Sequence, residues 1–257
     1  MRNESYDMND SDMGGGLLVP SSFRRIDPEL RAEIESVEGE ERVALILKRC
    51  FDITMNLKEL PFSVDFPIAE IEIDLYVLEL ESAKLFKAAA PNVRPLIIAA
   101  VLASTYVDLD AEAELKLFLP FIDIDLIKGA VIAKEMGVPF KIFVGVPEAK
   151  LDEYLTATKE AQIENIEYRS INYDDAKMTM MAFSECDDYV FDPISVTAAV
   201  VFEEVEEETE EDASIIVSMA SPMEYAREVL TALGVKSKDE NDAKKKLEEL
   251  FAIDDIE

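Results

Sequence analysis

The stretch that decides the fold is residues 123–146, DIDLIKGAVIAKEMGVPFKIFVGV. It predicts a helix over 124–136 that Gly137 ends, followed by an apolar strand over 139–146. A strand made almost wholly of apolar residues is typical of a sheet that helices cover on both faces. This stretch therefore predicts one helix-and-strand unit of an α/β fold.

The chain beyond this stretch continues the alternation of helix and strand. The pattern predicts helices over 147–161 and 174–185, and strands over 163–173 and 189–191. Such alternation favours a sheet that lies between layers of helices. The predicted fold class is therefore α/β, with a mixed sheet and helices on its faces in three layers.

An acidic run, FEEVEEETEED at 202–212, separates two strand-like segments at 196–202 and 213–219. About ten residues join these segments, fewer than the dozen or more that a parallel crossover needs. The sequence therefore predicts an antiparallel hairpin near the C-terminal part of the chain, with the acidic run as its solvated tip.

The N-terminal half shows two segments in which aliphatic and acidic residues alternate, at 70–75 and 107–117. Alternation of this kind predicts strands with one core face and one acidic face. Residues 1–24 are polar and contain three consecutive glycines, which predicts a flexible tail. We expect residues 25–257 to form a single α/β domain, with a sub-boundary near residue 120.

The net charge of −31 comes from 56 acidic against 25 basic residues. It argues against nucleic acid and anionic membranes as direct ligands, because both require clusters of Lys and Arg. It favours a basic protein partner or cations.

The longest purely apolar run, residues 96–103, is too short for a membrane span, and the N-terminus lacks an apolar targeting segment. We expect a cytoplasmic protein.

Several kinds of chemistry are excluded by missing residue types. The chain has no histidine, which removes Ser-His-Asp and Cys-His nucleophile systems and makes zinc catalysis implausible. Its eight glycines form no GxGxxG or GxxxxGK[ST] loop. The two cysteines are far apart and form no CxxC pair. We therefore expect no cofactor, except Mg²⁺ or Mn²⁺ held by carboxylates.

Asp123 and Asp125 are the candidate metal ligands. They follow an apolar stretch at spacing i, i+2, and such a strand end can direct both carboxylates towards a single cleft. The alternative is that Asp123 only caps the helix that begins there.

A second candidate is Ser221, because a helix start after a strand offers N–H groups to an anion. Its alternative is a capping box formed by Ser221 and Glu224.

The two acidic strand faces form a candidate surface for a partner. Like charges on neighbouring strands require a cation, basic side chains or water. The surface comprises Glu70, Glu72, Asp74, Asp108, Asp110, Glu112 and Glu114.

Two functional hypotheses follow from these features, and the sequence leaves open whether the chain is an enzyme. The first is a binding protein, such as an assembly factor, adaptor or complex subunit, that contacts a basic macromolecular partner or copies of itself through this surface. The alternative is an α/β enzyme or small-molecule binder with carboxylate-held Mg²⁺ or Mn²⁺ and a phosphorylated substrate.

Overall fold

A six-stranded mixed sheet forms the middle layer of the protein in the computed structural model. The structure describes residues 28–51, 68–72, 75–80, 94–109, 114–164, 166–186, 189–206 and 213–251. The strands are β1 Ile68–Glu72, β2 Leu75–Glu79, β3 Leu115–Pro120, β4 Phe140–Pro147, β5 Glu167–Ile171 and β6 Ser214–Ser218. The described helices are α1 Pro28–Glu35, α2 Gly39–Phe51, α3 Arg94–Asp108, α4 Ile124–Glu135, α5 Leu151–Glu160, α6 Tyr173–Cys186, α7 Val196–Glu206, α8 Ala226–Ala232 and α9 Glu240–Phe251.

The strand order is β1-β2-β6-β3-β4-β5, and only β1 and β2 pair antiparallel. The other neighbouring pairs are parallel. The predicted α/β class with a mixed sheet is therefore confirmed. Within the described ranges, no helix has the length and apolar character needed to cross a membrane.

Helices cover both faces of the sheet because the central strands are buried on both sides. One core cluster lies between the sheet and α1 to α5, and Leu117 of β3 and Val144 of β4 belong to it. The other cluster lies between the sheet and α6 to α9, and it contains Phe118 and Phe143 of the same strands. Alternate residues of a strand point to opposite faces, so β3 and β4 contribute to both cores.

Helix α7 crosses the second face antiparallel to the strands. Near its start, the Thr197 hydroxyl donates a hydrogen bond to the Gly145 carbonyl oxygen at 3.1 Å, close to the carboxyl end of β4. At its end, the Lys116 ammonium lies 2.9 Å from a Glu206 carboxylate oxygen, close to the amino end of β3. The start of α7 therefore lies at the carboxyl edge of the sheet.

The predicted hairpin near the C-terminal part is wrong in its position. Residues 196–206 form a helix, and β6 lies between β2 and β3 as a parallel neighbour of both. A segment that is buried on nearly all sides shows neither the period of a helix nor that of a strand, and the three valines of residues 196–202 favoured the strand interpretation. The first half of the acidic run is the last turn of α7, and residues 207–212 lie outside the described residues.

Three further predictions need correction. Residues 107 and 108 end the helix α3 and do not begin a strand, because α3 is buried around almost its whole circumference. Val190 and Phe191 are buried and Tyr189 is partly buried, but residues 189–191 form no regular strand. The segment 70–75 spans the end of β1 and the start of β2, so it is not a single strand. The predicted tail at 1–24 lies outside the described residues.

Candidate ligand site at the carboxyl edge of the sheet

The strand order reverses between β3 and β6. From β3 the chain proceeds to β4 and β5 on one side, and then returns to β6 on the other side of β3. In α/β sheets, ligands bind outside the carboxyl ends of the strands near such a reversal. The residues that follow β3, β4, β5 and β6 are therefore the first place to look for a site.

Asp123, which follows β3, is the N-cap of α4. One of its carboxylate oxygens accepts hydrogen bonds from the backbone N–H groups of Asp125 at 2.9 Å and Leu126 at 3.4 Å. These contacts are those of the helix cap, which was the alternative to a metal ligand for Asp123. Within the described part of the chain, no three Cys, Asp or Glu side chains are close enough to hold a metal ion.

Asp125 is half-buried and lies beside a cation. Its carboxylate is 3.8 Å from Nη1 of Arg94. Burial, with a smaller effect of the Asp123 charge, raises the pKa of Asp125, while Lys128 and Arg94 act in the opposite direction. The Lys150 ammonium, which follows β4, donates to the Ile122 carbonyl oxygen at 3.3 Å. This side of the edge thus contains an ionic cluster around the start of α4.

Ser221, which follows β6, caps a short 3-10 helix, Pro222–Tyr225. Its hydroxyl accepts a hydrogen bond from the Met223 N–H at 3.2 Å. The Glu224 side chain is exposed, and the capping-box bond from it does not form among the described residues. The sequence predicted that an α-helix begins at Pro222 and offers its N–H groups to an anion, but the α-helix α8 begins only at Ala226. Ser221 therefore does not lie at the start of an α-helix.

The predicted partner surface is not assembled as two neighbouring strand faces. Glu70 lies on β1, whereas Asp108 ends α3 and forms an ion pair with Arg42. Glu114 is exposed just before β3, which β2 and β6 separate from β1. The side chain of Glu72 and the residues Asp74, Asp110 and Glu112 lie outside what the structure describes.

Asp192 is a fully buried carboxylate at this edge that no sequence pattern singled out. One of its oxygens accepts hydrogen bonds from the N–H groups of Ile194 at 2.9 Å and Ser195 at 3.1 Å. The Ser195 hydroxyl in turn accepts from the N–H of Met219, directly after β6, at 2.9 Å. Asp192 therefore shapes the turn that joins the start of α7 to the end of β6.

The second oxygen of Asp192 has no hydrogen-bond partner among the described residues. Burial raises the pKa of the Asp192 carboxyl above its usual range, although the Ser195 hydroxyl and the N–H groups of Ser195 and Ile194 oppose this effect. Nearby, the hydroxyl of the half-buried Tyr189 donates to a Glu79 carboxylate oxygen at 2.9 Å. Burial and the Glu79 charge raise the pKa of Tyr189.

The raised pKa of Asp192 predicts a pH effect on stability. In the window between the unfolded pKa of about 3.9 and the higher folded pKa, the native state binds more protons than the unfolded state. The contribution of Asp192 to stability is therefore present at low pH and is lost as the pH rises through this window. Asp192→Asn keeps the hydrogen-bonding oxygen and removes the titration. We expect the free energy of unfolding of Asp192→Asn to increase relative to that of the parent protein as the pH rises above about 4.

Urea unfolding at several pH values measures this difference. Asp152→Asn, at an exposed position on α5, serves as the control for the general charge of the protein. A difference between Asp192→Asn and the parent that does not change with pH would contradict this prediction.

A cavity of about 300 Å³ lies between α6, α7 and α8. The starts of α6 and α7 and the turn before α7 contribute to its wall, so it lies beside the carboxyl edge. Its charged residues are Lys177, Arg227 and Glu228, and the rest of its wall is mainly apolar. These residues come from separate segments, and no local sequence pattern connected them.

Neither a protein-family model nor a curated protein matches this sequence. Among the solved structures that resemble the fold are three threonine synthases. Threonine synthase from Escherichia coli superposes with a TM-score of 0.61 at 12% identity, over 88% of this chain and 87% of that chain. PLP-bound threonine synthase from Brucella melitensis superposes with a TM-score of 0.43 at 14% identity, over 62% of this chain and 47% of that chain. Threonine synthase from yeast superposes with a TM-score of 0.49 at 12% identity, over 67% of this chain and 48% of that chain. The match covers about half of each of these two proteins.

The chain thus shares its α/β fold with an enzyme. The prediction of an adaptor or complex subunit that contacts a basic macromolecular partner is wrong, because the fold is the one found in an enzyme, threonine synthase. The alternative of an α/β enzyme or small-molecule binder is better supported. The prediction of no cofactor beyond Mg²⁺ or Mn²⁺ is contradicted as well, because the chain shares its fold with a threonine synthase. The threonine synthase from Brucella melitensis has pyridoxal phosphate bound.

Pyridoxal phosphate needs phosphate-binding donors and a lysine amine. The helix starts at this edge are poor phosphate sites, because Asp123 and Asp192 already accept hydrogen bonds from the backbone N–H groups that follow them. The cavity is different, since Lys177 and Arg227 are among the residues that line it. The donor types that the cofactor requires are therefore present in the cavity.

Proposed function

We propose that this protein is an α/β enzyme or small-molecule binder whose ligand occupies the cavity between α6, α7 and α8. The observation that carries the proposal is the cavity itself, which lies at the edge of the sheet where α/β folds bind ligands. Its volume of about 300 Å³ is within the range of known ligand pockets, and an apolar wall with a few charged groups is their usual composition.

A substitution that fills the cavity tests this proposal. Ala176 lines the cavity on α6, so Ala176→Phe places a ring where the ligand would lie. We expect 1-anilinonaphthalene-8-sulfonate, an aromatic anion, to bind at one saturable site, and Ala176→Phe to weaken that binding about tenfold or more. Fluorescence titration measures both affinities.

The matched control is Ala182→Phe, at an exposed position of the same helix outside this cavity. It should leave the affinity unchanged. Circular dichroism checks that both variants fold. If Ala176→Phe binds the probe as tightly as the parent protein does, the ligand site is elsewhere and the proposal fails.

A cofactor-dependent form of this function is favoured by Lys177, whose side chain lines the cavity together with Arg227. Pyridoxal phosphate, when bound, supplies an electron sink for carbanion chemistry. In this form, Lys177 would hold its aldehyde carbon and Arg227 its phosphate. We expect titration with pyridoxal phosphate and borohydride reduction to give one adduct per chain, on Lys177, by peptide mass spectrometry.

The control for this labelling is Lys159→Gln, which changes an exposed lysine on α5 and should leave the adduct in place. Lys177→Gln should abolish it. Labelling that spreads over many lysines without saturation would rule out the cofactor-dependent form and would leave the cavity proposal to its own test.

A further inference from the structure

The charge of the cavity wall is opposite to that of the chain. The protein carries a net charge of −31, yet the cavity has two cationic side chains, Lys177 and Arg227, against one anionic side chain, Glu228. A local excess of one positive charge suits a ligand that carries a negative charge. The wall therefore selects by charge as well as by shape.

Arg227 also differs from the other arginines whose side chains the structure describes. Arg31, Arg42, Arg94 and Arg169 each form an ion pair with a carboxylate of the chain. Neither Arg227 nor Lys177 forms an ion pair with any described residue. A guanidinium holds a carboxylate with two parallel hydrogen bonds, which is the strongest arrangement open to it. In so acidic a protein, Arg227 is thus available to a carboxylate that comes from outside.

The inner wall of the cavity is apolar. Met180, Val196 and Ala232 line it, and their exposed fractions are only 2%, 0% and 5%. The aromatic ring of Tyr173, which is 69% exposed, also lines it and lies towards solvent. A ligand that fills this space has an apolar body towards Met180 and Val196 and an anionic group towards the two cations.

We propose that the cavity binds an organic monocarboxylate with an apolar chain or ring, and that Arg227 and Lys177 hold its carboxylate. This inference rests on the proposed function, because it names the ligand class of the same cavity. It assigns Arg227 as the residue that determines specificity for the acid.

Calorimetric titration with octanoate and with 1-octanol tests the ligand class, because the two probes share the apolar chain and differ in charge. We expect octanoate to bind at one site per chain and octanol to bind at least about tenfold more weakly. Arg227→Gln should weaken octanoate binding by about tenfold and leave octanol binding unchanged, whereas Arg227→Lys should keep most of the affinity because it keeps the charge. Arg169→Gln, which changes an arginine on β5 that pairs with Glu204, is the matched control and should have no effect.

Four results would overturn this inference. Octanol that binds as tightly as octanoate, or octanoate binding that Arg227→Gln leaves intact, would show that the acid is not recognised. The proposed function would still stand in either case if Ala176→Phe blocks the probe. Octanoate binding that Ala176→Phe does not reduce, or no octanoate binding at all, would show that the cavity is not the acid site.

Discussion

Gly145→Ala is expected to destabilise the protein by about 3 kcal/mol. A Cβ atom at Gly145 would lie 2.1 Å from the Thr197 carbonyl oxygen and 2.9 Å from the Ala198 nitrogen. Both atoms belong to the backbone of α7, so no side chain can turn away to make room. The close approach of β4 and α7 therefore depends on glycine at this position.

Urea unfolding of Gly145→Ala measures this cost, and Gly234→Ala provides the matched control. Gly234 has a φ of +75° and nothing within 4 Å of the added Cβ, so its substitution carries only the cost of a left-handed backbone, about 1 kcal/mol. We expect the Gly145 variant to lose clearly more stability than the Gly234 variant. Equal losses of stability in the two variants would show that the backbone of α7 does not approach Gly145 of β4 as closely as described.

Phe118→Ala is expected to lower the free energy of unfolding by about 3–5 kcal/mol, the usual cost of removing a buried ring. Phe118 on β3 is fully buried. Its ring stacks on Phe143 of β4 with the centroids 5.1 Å apart, and Phe202 of α7 meets it edge-on at 5.5 Å. These three rings connect the two central strands to the helix above them.

Denaturant unfolding measures the loss, and Tyr173→Ala is the control because that side chain is 69% exposed. The control should change stability by less than about 0.5 kcal/mol. If Phe118→Ala costs as little as the control does, the ring cluster is not part of the second core, and the layer arrangement given above is incorrect.

The elements that could be predicted from sequence are those with local signals. Glycine and proline around α4 and β4 fixed their limits, so residues 124–136 and 139–146 were predicted within a residue or two of the observed bounds. Helix α7 had no such signal, because it is apolar on almost every side and rich in valine. Its helical state is decided by tertiary packing against β3 and β4, which a local pattern does not contain.

The residues of the candidate site also differ in whether a local sequence signal predicts them. The capping role of Asp123 depends on its two following residues, so the sequence was enough to propose it. The cavity depends on α6, α7 and α8, which bring Lys177 and Arg227 together across 50 positions of the chain. The sequence shows no spacing that relates them. In the sequence, Asp192 has the appearance of an ordinary turn residue, and its complete burial is visible only in the structure.

The central claim is that the cavity between α6, α7 and α8 binds an organic ligand, and a crystal structure with 8-bromooctanoate tests it most directly. The anomalous signal of bromine locates the apolar end of the ligand without reference to the expected position. The account predicts one bromine site against Met180 and Val196, with the carboxylate at Arg227. A bromine site elsewhere on the protein, with this cavity empty at a saturating concentration of the acid, would contradict it.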